Sequence, residues 1–275
     1  MAFTTGTAND IRDLLSRVRA FILTNGWDEV YWNGSTRLHV KGTGDNGYDE
    51  IYNSLYIFED ASTDKYHFGV YGALGMKGTS PNYYRIKSIR QYCALWNNPM
   101  DYWLVCNGRR VIMYAKVSTK YAGLHFGLVR PFATPEQYPY PMVVGGTHYI
   151  RVSWTSNANT AWWDNREHVC AISADNRILE NYVDVWPKAG VFELDKMIDC
   201  MDGSYSLIPL IVVSNNTNTN SDSTMYAIGQ VEGLYHVSGF NQSAENILTI
   251  GSDNYVVFPK FADTGRNDWV ALQLK

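Results

Sequence analysis

The sequence predicts an α+β fold: an amino-terminal domain with one main helix and a mostly antiparallel sheet, followed by a β-rich carboxy-terminal domain. Three observations predict it. Apolar residues recur at helical spacing only near the start. The strongest strand and turn signals are packed between residues 101 and 146. Past Gly145-Gly146 the composition shifts towards Asn, Thr, Asp and Ser, and the helix pattern disappears. The expected domains are therefore 1–146, a scaffold, and 147–275, a β-rich unit with polar loops.

Residues 5–9 are small and polar, and Asn9 or Asp10 can cap a helix over 10–24. Its apolar positions are Ile11, Leu14, Leu15, Val18, Phe21 and Ile22. Asn25-Gly26 ends it with a left-handed cap. A hairpin follows, 29–32 against 36–40 around Asn33-Gly34. After a loop at 42–47, residues 51–59 read as a strand and 66–74 as its partner across the turn 60–64, although Gly69, Gly72 and Gly75 mark close approaches or bulges. Ser80-Pro81-Asn82 breaks the chain, and 84–96 has mixed periodicity.

The central hairpin spans 102–117, with Asn107-Gly108 expected to take the positive φ angles of a two-residue turn. Along its second strand Val111, Met113, Ala115 and Val117 share one face, and Arg110, Ile112, Tyr114 and Lys116 the other. A second face that is mixed rather than fully polar suits a sheet covered on both sides. A third run, 124–129, continues the meander. Pro131, Pro135, Pro139 and Pro141 then end it, with Tyr138 and Tyr140 between them making a stiff aromatic segment suited to packing or partner contact.

In the second half, 149–154 and 169–172 read as strands, with a turn at Asn176-Arg177 and a polar, tryptophan-bearing loop at 153–166. Residues 192–201 could form a short helix, and a buried strand is expected at 207–213. The Asn, Thr, Ser and Asp tract at 214–223 reads as an exposed loop. Short strands follow at 226–228, 231–237, 247–250, 255–261 and 269–274, the third and fourth joined by a hairpin-length loop at 251–254 and the last entered through a turn at 263–267.

Composition narrows the function. Aromatic residues make up 14% of the chain and charged residues only 18%, which favours protein contact, glycan stacking or simply aromatic β cores. A net charge of −4 gives no overall attraction to nucleic acid or anionic membrane, and neither partner is expected. Cys93, Cys106, Cys170 and Cys200 lack CxxC spacing and sit in mostly apolar surroundings, so buried free thiols and a reducing compartment are expected. Residues 1–10 carry no hydrophobic core of a secretion signal, and no apolar run approaches the ~20 residues that span a bilayer.

The six histidines have no HxH or HExxH spacing, so no metal is expected. GxSxG, GxxxxGK[ST] and GxGxxG are absent, so no cofactor and no catalytic residue is expected either. Glu180, Asp184, Glu193, Asp195 and Asp199 read as solvated surface rather than a glycosidase pair. Asp45, Asn46, Asp49 and Glu50 lack the register of a calcium loop. The best binding candidates by composition are Trp154, Trp162 and Trp163, which either stack on a sugar or protein partner or tuck back as lids on the β domain.

The runs NGRRVIMYAKVSTKYAGLHFGLVRPFATPEQYPYPMVVGG at 107–146, IRDLLSRVRAFILTNGW at 11–27 and ENILTIGSDNYVVFPKFADTGRNDWVALQL at 245–274 resemble virion structural proteins of tailed bacteriophages. The likeness is specific in the central and final segments and loose between 147 and 206. It implies a tail, baseplate or neck component, assembled in the host bacterial cytoplasm as a symmetric ring or collar, with other virion proteins and copies of itself as partners and no catalytic residues. On this reading the helix over 11–23 and the strand edges of the first domain make the subunit contacts, and the second domain projects outward. The alternative is a host-glycan-binding module built on the tryptophan loop.

Overall fold

The computed structural model describes residues 1–44, 50–76, 84–132, 142–159, 161–162, 169–172, 178–179, 183–187, 206–216, 224–239, 241–259 and 269–274. The described residues are 61% strand and 8% helical, in three antiparallel sheets, so the α+β expectation is corrected to a mostly β protein. The expected helix exists as α1 (Ile11–Leu23). Asp10 caps it by accepting from the backbone amides of Arg12 and Asp13, and Gly26 turns the chain away at φ +90°. The class changes because many strands carry no local signal. The clearest is β1 (Ala2–Ala8), whose sequence AFTTGTA reads as small and polar, yet it pairs along its whole length with β8 (Met100–Cys106).

The middle sheet runs β1, β8, β9 (Arg110–Val117), β10 (Lys120–Leu128), β12 (Met142–Gly145), β13 (Val169–Ile172), β14 (Ile178–Leu179). Its two faces belong to two different cores, as the mixed second face of β9 implies. Val111, Met113, Ala115 and Val117 pack with α1 and with the first outer sheet, which runs β2 (Trp27–Trp32), β3 (Arg37–Gly42), β4 (Ile51–Asp60), β5 (Lys65–Met76), β6 (Tyr84–Lys87), with β7 (Gln91–Leu95) also on β5. Ile112 and Tyr114 pack with the second outer sheet, which runs β15 (Val183–Trp186), β16 (Ile208–Asn216), β17 (Thr224–Val237), β20 (Trp269–Gln273), β19 (Asp253–Pro259), β18 (Ile247–Ile250). The result is a three-layer β structure. Strands on either side of Gly146 share the middle sheet, since Val143, Val144 and Gly145 pair with Ala171, Cys170 and Val169.

Several connections differ from the sequence reading. The turn between β8 and β9 forms, but Gly108 does not take a positive φ. Instead the Asn107 carboxamide oxygen accepts from the amides of Arg109 and Arg110, closing the turn with a side chain. The glycine this turn requires is Gly26: a Cβ there would come within 2.8 Å of the Gly108 Cα, so the helix exit and the central turn touch backbone to backbone. Trp27 seals the junction by donating its indole N–H to the Asn107 carbonyl at 2.7 Å and meeting Phe126 edge-on.

Residues 149–154 form no strand; they lie over the first outer sheet, joined to it through one bridge between Tyr92 and His148. The runs 226–228 and 231–237 are one strand, β17, against which β16 shifts register twice. Ser214, Asn215 and Asn216 belong to β16, so the polar tract enters the sheet before the segment 217–223. Pro131 does not end pairing, because β11 (Arg130–Pro131) bridges to Gln230 and Gly229 of β17. The candidate helix at 192–201, the turns at 176–177 and 263–267, the break at 80–82, Tyr138 and Tyr140 lie outside the described residues.

Candidate functional site

The two described tryptophans of the candidate loop are on different sides of the middle sheet. Trp154 packs against the core shared with the first outer sheet. It meets Trp96 edge-on at 5.4 Å, donates its indole N–H to Asp64 at 2.9 Å, and has its own carbonyl held by the Lys120 ammonium. Trp162 is fully buried in the other core and stacks on His125 at 5.1 Å. Its ring rests on glycines: a Cβ on Gly145 would come within 2.6 Å of it, and one on Gly123 within 3.3 Å. The loop therefore tucks back on the protein at both described tryptophans rather than offering one aromatic platform. Trp163 lies outside the described residues.

A second aromatic surface, which the sequence reading did not single out, covers the outer face of the first outer sheet. Strand alternation puts Tyr56 and Phe58 of β4 on that face, across from Gly69 and His67 of β5, with Tyr92 of β7 beyond Gly69. Gly69 makes room: a Cβ there would fall 2.0 Å from the Tyr56 ring, which lies across the glycine and meets Tyr92 edge-on at 6.3 Å. His67 sits among Phe58 and Tyr92, and its Nε2 lies 2.6 Å from the Val152 carbonyl, so that nitrogen carries the proton. Burial holds the His67 pKa down to about 4 and pushes the Tyr56 hydroxyl well up.

Two guanidiniums lie over these rings. Arg90 is 4.5 Å from the Tyr56 centroid and 6.0 Å from that of Tyr71, and Arg151 is 3.8 Å from that of Phe58. The signal for this face is the Tyr52, Tyr56, Phe58 alternation in 51–59. The arginines come from other segments, so nothing local marks them.

The mixed face of β9 resolves into an apolar centre with charged ends, one answered by Glu232 of β17 and the other by Glu245 in the turn before β18. Arg110 is buried and donates to Glu232 twice, through Nε to the backbone carbonyl at 2.9 Å and through Nη1 to the carboxylate at 2.5 Å. Lys116 and the Tyr121 hydroxyl both donate to Glu245 Oε1 at 2.5 Å. Removing Arg110 empties a buried site and leaves the partly exposed Glu232 carboxylate without its partner, and we expect Arg110→Ala to cost about 2 kcal/mol in urea unfolding. A cost near zero would show that the pair does not tie the layers together.

Other sequence candidates gain no chemistry. Burial pushes the Cys106 thiol up to about 12 and the Cys93 thiol higher still, so neither is a ready nucleophile. Glu50 pairs with Lys41 and accepts from Tyr52. Asp184 is half-buried on β15, whereas Glu180, Glu193, Asp195, Asp199 and Cys200 lie outside the described residues. Among the described residues no group of three His, Cys, Asp or Glu is placed to hold a metal, and no helix is long and apolar enough to cross a membrane. No protein-family model matches the chain, and no curated protein matches it significantly.

Proposed function

We propose that this chain is a non-enzymatic structural protein of a tailed-bacteriophage virion, whose copies associate into a ring or collar in the tail, baseplate or neck. The observation that carries the reading is β18. It is the end strand of its sheet, with β19 on one side and no strand on the other among the described residues. Its sequence ILTI has no charge and no proline, and Ile247 and Ile250 are 55% and 43% exposed. Soluble monomers blunt such edges with lysine, proline or a covering loop, because an open apolar edge recruits other chains. An edge left in this state suits a protein whose neighbour in an assembly covers it.

The location of the proposed contact departs from the expectation that α1 supplies it. Ile11, Leu14, Leu15, Val18 and Ile22 are all turned into the protein's own core, so the apolar stripe of the helix is already used. The glycan-binding alternative has no comparable support, since Trp162 is buried. Sedimentation of the purified chain tests the proposed edge. The wild type is expected to form discrete oligomers, and Ile247→Lys/Ile250→Lys to stay folded and monomeric. Oligomers that survive both lysines reject β18 as the contact, and a particle reconstruction with this chain in no tail, neck or baseplate density rejects the virion reading.

A further inference from the structure

Arg90 and Arg151 have no carboxylate partner among the described residues. Arg90 has one polar contact, Nη1 to the Tyr92 hydroxyl at 3.4 Å, and Arg151 is held only against the Phe58 ring. A guanidinium stacked on a ring is fixed in orientation while its N–H edge stays free to receive an anion in two-pronged fashion. Arg37 lies in the same row, opposite Tyr56, and Glu50 at the far end of the face is already paired with Lys41. Asp28 also lies opposite Lys41, and Asp60 opposite Lys65, so the face's carboxylates have lysines beside them and the cationic part is the row of Arg37, Arg90 and Arg151.

Its spacing and its surroundings define the ligand. Tyr56 and Phe58, the rings beneath the two arginines, are alternate residues of one strand, ~7 Å apart at the usual rise. That is also the repeat of alternate side chains in any extended peptide. Tyr92 and His148 exchange backbone hydrogen bonds of 2.8 and 3.0 Å, which sets 149–151 beside 89–91, two segments that carry the exposed side chains Tyr149, Ile150 and Ile89. We propose that this face binds an extended acidic polypeptide segment of a partner protein. Carboxylates two residues apart meet Arg90 and Arg151, and apolar side chains of the segment rest on Ile89, Tyr149 and Ile150.

A sugar is the poorer fit. The Tyr56 and Phe58 rings are already covered by guanidiniums, Tyr92 and His67 are buried, and Tyr149 is stacked on His148, so these rings leave no open pair of faces for a saccharide. The inference stands apart from the virion reading, because the partner is defined by its chemistry and not by the particle that contains it.

The test titrates the intact chain with three probes: a short peptide alternating Glu with Val or Thr, a peptide of the same composition with its glutamates contiguous, and an oligogalacturonate. The alternating peptide is expected to bind, to bind about tenfold better than the contiguous one, and to weaken as salt is raised. Arg90→Gln/Arg151→Gln is expected to lose about tenfold or more of that affinity while keeping the wild-type thermal midpoint. The salt and peptide-order comparisons need no variant, so they decide the matter even if the double substitution disturbs folding. No binding of the alternating peptide, equal binding of the two peptides, an unchanged affinity in a folded variant, or tighter binding of the oligogalacturonate overturns the proposal.

Discussion

Trp162→Ala is expected to destabilise the protein by about 3 to 5 kcal/mol, the range for removing a fully buried large aromatic. The ring fills the space over Gly123 and Gly145 and stacks on His125, and β10 and β12 have no side chains at those two positions to collapse into the void. Trp154→Ala, at a half-buried position, is expected to cost less, because solvent can enter where the ring was. Urea unfolding of both variants checks the order. A Trp162→Ala cost below about 1 kcal/mol would show that the ring is not a core element. Any loss of binding in Trp162→Ala would accordingly report unfolding before it reported a ligand.

A fall in pH from 7 to 5 is expected to lower stability by several kcal/mol. His39 and His67 are held at about 4 and His125 at about 3, in each case chiefly by burial, against 6.5 in the unfolded chain. The unfolded state therefore takes up protons that the folded state refuses. The stability these groups contribute is fully present above 6.5 and is lost as pH falls towards 4 for His39 and His67, and towards 3 for His125. Over two pH units each histidine contributes about 1 to 2 kcal/mol, a sizeable share of the 5 to 15 kcal/mol typical of a folded domain. The thermal midpoint is expected to drop by roughly 10 °C. A midpoint that does not move between pH 7 and pH 5 would show that these rings accept protons in place.

The legible parts of the fold are those whose signal is local. Asp10 and the spacing of Ile11, Leu14, Leu15, Val18 and Ile22 are complete within one helix, and the alternation of 110–117 records burial on both faces because each face has its own core. The α+β reading fails for the same reason: one amphipathic helix announces itself, whereas β1 is a strand only because Ala2 to Ala8 meet a partner about a hundred residues away. Trp162 shows the limit for the site. Its polar neighbours in the chain suggest exposure, while the glycines that receive its ring are contributed by two other strands. Arg90 and Arg151 are brought together by strand register and one backbone bridge, neither of which is written in the residues beside them.

The shared middle sheet also sets a timetable for biosynthesis. β1 leaves the ribosome well before its partner β8, which is made only when residues 100–106 have been translated, and the second outer sheet covers β9 only once the strands after 183 exist. Until then Ile112 and Tyr114 face water on a half-built wall. Loop closure over such separations is slow, so a long interval of exposed apolar surface precedes the finished protein. Chaperone dependence in a cell-free translation system is therefore expected to persist until β20 has emerged, and to be relieved abruptly rather than in two stages.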